Sequence, residues 1–483
     1  RVARTAACRD RQAPIAHCLD RRRGELVALV DRWEPGARDV LALAPQAIDA
    51  LLPVESCRAP ETTATLDRPE LAASFASARA ERLAGHFSIA RAAAHALLPR
   101  ITDPALRAEV LVELATTQRD LGDGAGARTR LVEAIAAAEL AGASRTKVIA
   151  WMSLAELASQ DLIELSRARD ALQLAAAGIE RLGSPATLAR GLDFERGLLL
   201  IREGHPSEAI VGLEHSLTPD LAPTEAAHRL LAVARAQLDM GSFADALARL
   251  ERAERTLIAA LGPHAASLAA IENSMIEPLR MLDRGDEAIA RGERALAILT
   301  ANEGPTSGFR RGVLNNLANV YADTGKLDRA IAIQTELLAG AATDYDRALF
   351  ESNLGSTLTQ AHRHAEAYAH LQRGRALIGK VLGDDHPSIA NVEHLLALLE
   401  IDRSRPDRAL AHARRVLEIR ERTHADPGYL GSARYLVAQL LVETGERAEA
   451  LALARAALAE PLRPMDHQLE SDLRAFLAHE TRR

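Results

Sequence analysis

Between residues 314 and 338 the apolar and polar positions fall into two successive helical patterns. In LNNLANVYADTG, Leu314, Leu317 and Tyr321 recur at three- and four-residue spacing and so share one helical face. Ala318 is the small residue where a partner helix can cross, and Gly325 can take the left-handed conformation that ends a helix. A second apolar face follows in Ile331, Ile333 and Leu337, with Ala330 at the closest approach of the two helices. One helix pair cannot bury both faces alone, so the pattern must repeat.

It does repeat, anchored on the alanine that follows each turn. The anchors are Ala90, Ala127, Ala209, Ala246, Ala288, Ala330, Ala367, Ala409 and Ala450, with a degenerate copy at Ala168. Successive anchors lie 37 to 42 residues apart. This helix pair resembles a tetratricopeptide repeat (TPR), whose usual period is about 34 residues. The longer connections Leu261–Ala269 (LGPHAASLA) and Leu382–Ala390 (LGDDHPSIA) resemble the Gly-x-x-His-Pro junction of the extended, roughly 42-residue TPRs of kinesin light chains. There Leu382 ends a helix, Gly383 caps it and Pro387 falls in the first turn of the next, with His264 and His386 as cap residues.

The resemblance implies an all-α solenoid of about ten extended TPRs over residues 61–460, wound into a right-handed superhelix. Residues 1–60 read as a helical linker segment, in which RRRGELVALVDRW sets Leu26, Val27, Leu29, Val30 and Trp33 along one side before Pro35-Gly36. Residues 461–483, with HQLESDLRAFLAHETRR after Pro461 and Pro464, read as a capping helix for the exposed end.

Composition agrees with this reading. Hydrophobic residues make up 48% and aromatics 3% of the 483 residues, and the Ala- and Leu-rich balance suits closely packed helices rather than a β-sandwich. The net charge of −7, with Lys147, Lys326 and Lys380 the only lysines, provides no global field for nucleic acid. Its arginine content reads as codon composition of a G+C-rich genome. No apolar run reaches the 18 residues of a membrane span, and the opening RVARTAACRDRQ lacks a signal-peptide core. A cytoplasmic location is therefore expected, or tethering if a span lies upstream. The first residue is Arg rather than Met, which reads as a piece of a longer protein.

Cys8, Cys18 and Cys57 are an odd set at irregular spacing, either inert thiols in a reducing compartment or a disulfide if exported. Cys8, the run Cys18-Leu-Asp-Arg-Arg with Leu26 and Leu29, and Cys57 together resemble the segment joining kinase domain to TPR array in large bacterial serine/threonine protein kinases. That resemblance implies at most a kinase domain upstream. Within the chain there is no Gly-rich loop with a strand lysine, no His-Arg-Asp and no Asp-Phe-Gly, so no phosphoryl-transfer core is present. An effector region of a transcriptional regulator is a further alternative, but no recognition helix is legible.

Candidate chemistry is sparse. Gly122-Asp-Gly124-Ala-Gly126 looks like a phosphate loop but coincides with the turn before Ala127 and follows no strand. His362, His364 and His370 suggest metal ligands, yet no Cys or carboxylate in the local sequence completes a site, so they read as surface histidines. No nucleophile–base motif is identifiable, and neither a catalytic residue nor a cofactor is expected. The sharper expectation is a binding groove for a protein or peptide partner. In TPR arrays the first helix of each pair lines the concave side, and here the groove positions are Asn273, Glu277, Asn315, Asn319, Asp323, Ser352, Ser356, Gln360 and His394. Asparagine offers a donor and an acceptor, so such a ladder can hold an extended peptide backbone, with residues 265–400 as the contact region. Asn316 reads as a helix-packing residue instead. Arginines and lysines for gripping an acidic tail are missing from these positions.

Overall fold

The computed structural model describes residues 19–20, 22–31, 69–83, 86–159, 164–302, 308–423, 425, 427–459 and 466–482. Cys8, Cys18, Cys57, Trp33 and the proline-rich stretch before residue 69 lie outside them. Every regular element among the described residues is helical. The chain divides into two compact units, one of residues 1–239 and 245–271, the other of 240–244 and 272–483.

The first unit is built from the helix pairs α1 (Pro69–Leu83) and α2 (Phe87–Leu97), α3 (Pro104–Asp120) and α4 (Gly124–Ala141), and α5 (Ser144–Ser159) and α6 (Leu165–Arg181). It continues with α7 (Ala186–Arg202) and α8 (Pro206–Ser216), then α9 (Pro223–Asp239) and α10 (Phe243–Leu261). The second unit holds α11 (Leu268–Met281) and α12 (Gly285–Asn302), α13 (Gly308–Asp323) and α14 (Leu327–Ala339), and α15 (Asp344–Gln360) and α16 (His364–Leu382). After these come α17 (Pro387–Asp402) and α18 (Pro406–Arg422), α19 (Pro427–Thr444) and α20 (Arg447–Ala459), and a last helix α21 (His467–Arg482).

All ten anchor alanines occupy the same place, the fourth residue of the second helix, and each is at most 1% exposed. Twelve residues earlier stands the residue they cross, and it is small in eight of ten pairs: Ala78, Ala115, Gly197, Ala234, Ala318, Gly355, Ala397 and Ala438. A Cβ added to Gly355 would lie 3.2 Å from the Ala367 carbonyl oxygen, and one added to Gly197 3.3 Å from that of Ala209. Close approach of the two backbones therefore sets the crossing, and small side chains permit it. Ile276 and Glu156 take this place in the other two pairs.

The turn has a fixed conformation too. Five residues before each anchor the backbone is left-handed in all eight described turns. Glycine takes that place at Gly122, Gly204, Gly241, Gly325 and Gly445, and a side-chain-bearing residue at Asp283, His362 and Ser404. Gly122-Asp-Gly124-Ala-Gly126 is one of these turns: Asp123 caps α4 by accepting from the Gly126 amide at 2.9 Å. The first helices run from 14 to 18 residues, and the second helices spread more widely. α2, α8, α14 and α20 have 11, 11, 13 and 13 residues, against 17 to 19 in the six other second helices.

At the N-terminal side the structure corrects the expected apolar face. Residues 22–30 are helical, but Leu29 alone of the four described apolar residues is buried, against Ala80. Leu26, Val27 and Val30 are exposed. One turn before Leu29, Glu25 is buried and takes Arg79 of α1 at 3.1 Å and Arg22 at 2.6 Å. The contact face is thus one Leu and one Glu at i, i+4 spacing. The last helix, α21, has Leu473 fully buried and Phe476 edge-on to Tyr435 of α19, ring centres 5.8 Å apart. Gly383 follows the end of α16 and Pro387 opens α17, as the Gly-x-x-His-Pro pattern places them, and the His386 side chain accepts from the Ser388 amide at 3.2 Å.

Candidate functional site

First helices of neighbouring pairs touch directly from α1 through α9 in the first unit, and from α13 through α15 to α17 in the second. Their side chains therefore form a continuous surface along each of these two stretches. In the second unit, α11, α13 and α15 are linked by amides. Asn316 Nδ2 donates to Asn273 Oδ1 at 3.0 Å, and Asn353 Nδ2 donates to Asn315 Oδ1 at 2.8 Å. The acceptor stands fifteen residues before its anchor alanine and the donor fourteen before the next. Each bond uses one group of each side chain, so every amide keeps a further donor or acceptor.

Asn273, Asn315 and Asn319 are half-buried, and Asn319 makes no side-chain hydrogen bond to another described residue. Glu277 and Asp323 are exposed and share Arg280 at 3.0 and 2.7 Å. That arginine bridges α11 to α13. Ser356 is half-buried and Gln360 exposed. His394 on α17 is half-buried, and its Nδ1 is shielded from solvent with no hydrogen-bond partner among the described residues. Burial, with a smaller push from Arg420, holds its pKa below the ordinary histidine value and favours the neutral ring.

Ser352 departs from the expected ladder. It is 7% exposed, and its hydroxyl donates to the Ala348 carbonyl at 2.8 Å in its own helix. Gly374 of α16 lets the second helix press against it, since a Cβ there would lie 2.5 Å from the Ser352 hydroxyl oxygen. Asn353 takes over the polar contact. Asn316, read from sequence as a helix-packing residue, makes its bond to Asn273 of the neighbouring first helix. The signal that would have found both is their shared position fourteen residues before an anchor.

A second polar constellation, on α3, α5, α7 and α9 of the first unit, was not legible in the sequence. Arg119 donates to Glu156 at 2.5 Å. Glu156 is the residue that replaces the small crossing residue of its pair. Near it, burial and the Glu156 charge push Glu195 up to about 8, against Arg119 and Arg229. His228 stacks edge-on to Phe194 with ring centres 5.2 Å apart, and burial lowers its pKa. Both shifts favour the uncharged forms of Glu195 and His228, beside the Arg119–Glu156 ion pair.

The histidines of the turn before α16 part company. His370 is drawn to the buried Glu351 at 2.6 Å. His362 and His364 instead meet Asp402, the last residue of α17, at 3.1 and 2.6 Å. The local carboxylate, Glu366, is held by Arg363, and the one that meets the two histidines comes from the next pair.

An all-helical array of stacked pairs, with polar side chains laddered across its first helices, is an α-solenoid repeat protein. Residues 312–342 and 346–422 match tetratricopeptide-repeat family models, and the chain carries TPRs there. No curated protein sequence matches the chain. Solved structures similar to it include a Rap protein complexed with competence and sporulation factor, at 14% identity and a TM-score of 0.49, covering 71% of this chain and 98% of that one. A putative kinesin light chain from Podosopora anserina is 19% identical with a TM-score of 0.35, covering 42% of this chain and 99% of that one. A STAND protein with a TPR sensor from Pyrococcus horikoshii is 11% identical with a TM-score of 0.48, covering 94% and 69%. These likenesses concern the fold. Among the described residues no helix is long and apolar enough to cross a membrane.

Proposed function

We propose that the first-helix face of the second unit, from Asn273 to His394, holds a peptide or helical segment of a partner protein. The observation that carries this reading is the amide ladder. Its two rungs, Asn316–Asn273 and Asn353–Asn315, orient four asparagines while leaving each with unused hydrogen-bonding capacity. Preoriented amides bind a peptide backbone with little further ordering of side chains. Half-buried Asn319 adds a further amide to the same helix as Asn315 and Asn316. In this reading the chain is a scaffold in bacterial signalling that acts by binding, without catalysis, cofactor or nucleic acid, in the cytoplasm.

Pull-down from a lysate tests it. The pair of substitutions Asn315→Ala and Asn319→Ala is expected to abolish capture of partners held by the wild-type chain. Unchanged capture would sink the proposal. A second reading, the regulatory region of a bacterial serine/threonine protein kinase, rests on the Cys8, Cys18 and Cys57 segment. The coding sequence upstream of Arg1 decides it, by encoding a kinase core or something unrelated.

A further inference from the structure

We propose that His362, His364 and Asp402 form a binding site for a divalent first-row transition metal of the zinc class. Nδ1 of His362 and Nε2 of His364 converge on the same oxygen, Oδ2 of Asp402, at 3.1 and 2.6 Å. The three ligand atoms all lie within 4.8 Å of one another. Donors around a tetrahedral zinc, each at about 2.0–2.2 Å from the ion, stand about 3.3 Å apart, so small side-chain rotations admit the metal. Two imidazoles and a carboxylate are a donor set for zinc, cobalt or nickel rather than calcium or magnesium. The site opens to solvent on the His362 side, 75% exposed, which leaves room for water to complete the coordination.

Three observations set this cluster apart from a chance surface contact. His362 occupies the left-handed turn position that is glycine in five of the eight described turns, at φ 54°. Asp283 and Ser404 take the same conformation in two other turns, and of the three side chains only the imidazole is a strong ligand for a transition metal. Asp402 is an acid at the C-terminal end of α17, where the helix dipole disfavours negative charge and a cation is needed beside it. Finally, the neighbouring cations are engaged elsewhere. Arg363 forks onto Glu366 at 2.8 and 2.7 Å, and Arg403 bonds Glu400 at 2.8 Å, which leaves Asp402 to the two histidines. A bound ion would tie the turn between α15 and α16 to the end of α17.

The test uses the full chain with Cys8, Cys18 and Cys57 replaced by Ser, stripped of metal with chelator and titrated with Co²⁺ and Zn²⁺. Expected are one Co²⁺ per chain with the visible spectrum of a nitrogen- and oxygen-ligated ion, displaced by Zn²⁺, and a Zn²⁺-dependent rise in Tm. Asp402→Asn, nearly isosteric, and His362→Gly, which restores the residue favoured at this turn, should each weaken binding by at least about tenfold. Both should keep the wild-type circular dichroism and lose the Zn²⁺-dependent rise in Tm. Binding in these variants equal to that of the parent chain, or no specific binding by the parent, would overturn the proposal.

Discussion

Glu351 and His370, nineteen residues apart in sequence, meet at 2.6 Å across the two helices of one pair, with the carboxylate buried. The same relation recurs at Glu272–Arg291, 3.1 Å, and Glu393–His412, 2.6 Å. In the pair around Gly325 the equivalent positions hold Leu314 and Ile333, both half-buried. One location in the repeat thus accepts either an ion pair or two aliphatic side chains.

That equivalence predicts a double-mutant cycle. Glu351→Leu alone strands His370, and His370→Ile alone leaves the buried Glu351 with Arg373 only, so each should cost about 1–3 kcal/mol. Together they copy Leu314 and Ile333, and the pair should restore stability to within about 1 kcal/mol of wild type. Denaturation midpoints of the four proteins provide the coupling. Additive losses would show that the two solutions are not interchangeable.

Glu393 sets the direction of an acid limb. Burial pushes its carboxyl up, but the hydrogen bonds from His412 and Arg375 prevail and hold it below the ordinary value. Its contribution is therefore present above the usual carboxylate range, near pH 4–5, and is lost as pH falls through the lower folded value. Glu393→Gln should flatten the stability profile below about pH 5. A profile as steep as that of wild type would contradict the assignment.

Glu195 predicts the opposite slope. With its folded pKa pushed up to about 8, its contribution is full below the ordinary carboxyl range and declines as pH rises to about 8. Glu195→Gln keeps the neutral shape. It should match wild type at pH 4 and exceed it at pH 8 by a Tm difference on the order of 2 °C, since the side chain is only half-buried. Melting curves at the two pH values check this.

Two glycines in neighbouring first helices should respond with opposite signs. A Cβ on Gly355 would lie 2.7 Å from Cγ of Leu371 and 3.2 Å from the Ala367 carbonyl, whereas one on Gly312 meets nothing within 4 Å. Gly355→Ala should therefore destabilise by about 1–2 kcal/mol despite better helix propensity, and Gly312→Ala should stabilise by about 0.5–1 kcal/mol. Urea midpoints distinguish them.

What was legible in the sequence is what one helix pair settles by itself. Ala330, Gly325 and Leu317 act within about sixteen residues of one another, and local spacing reveals them. Asp402 comes from 38 to 40 residues beyond the histidines it meets, and Asn353 from 38 residues beyond Asn315. No local period connects such partners; they are joined by stacking between pairs. Ser352 shows the remaining limit. Its position suits the ladder, but Gly374 on the opposing helix allows a closer approach and buries it.

The short second helices also have an order. α2, α8 and α14 recur at every third pair, and the anchors Ala90, Ala209 and Ala330 are each followed by the next anchor after 37 residues, against 41 or 42 elsewhere. A rhythm of three pairs, about 120 residues long, therefore overlies the single helix pair. Removing three successive pairs preserves the rhythm of short and long helices, while removing a single pair sets every later helix out of step.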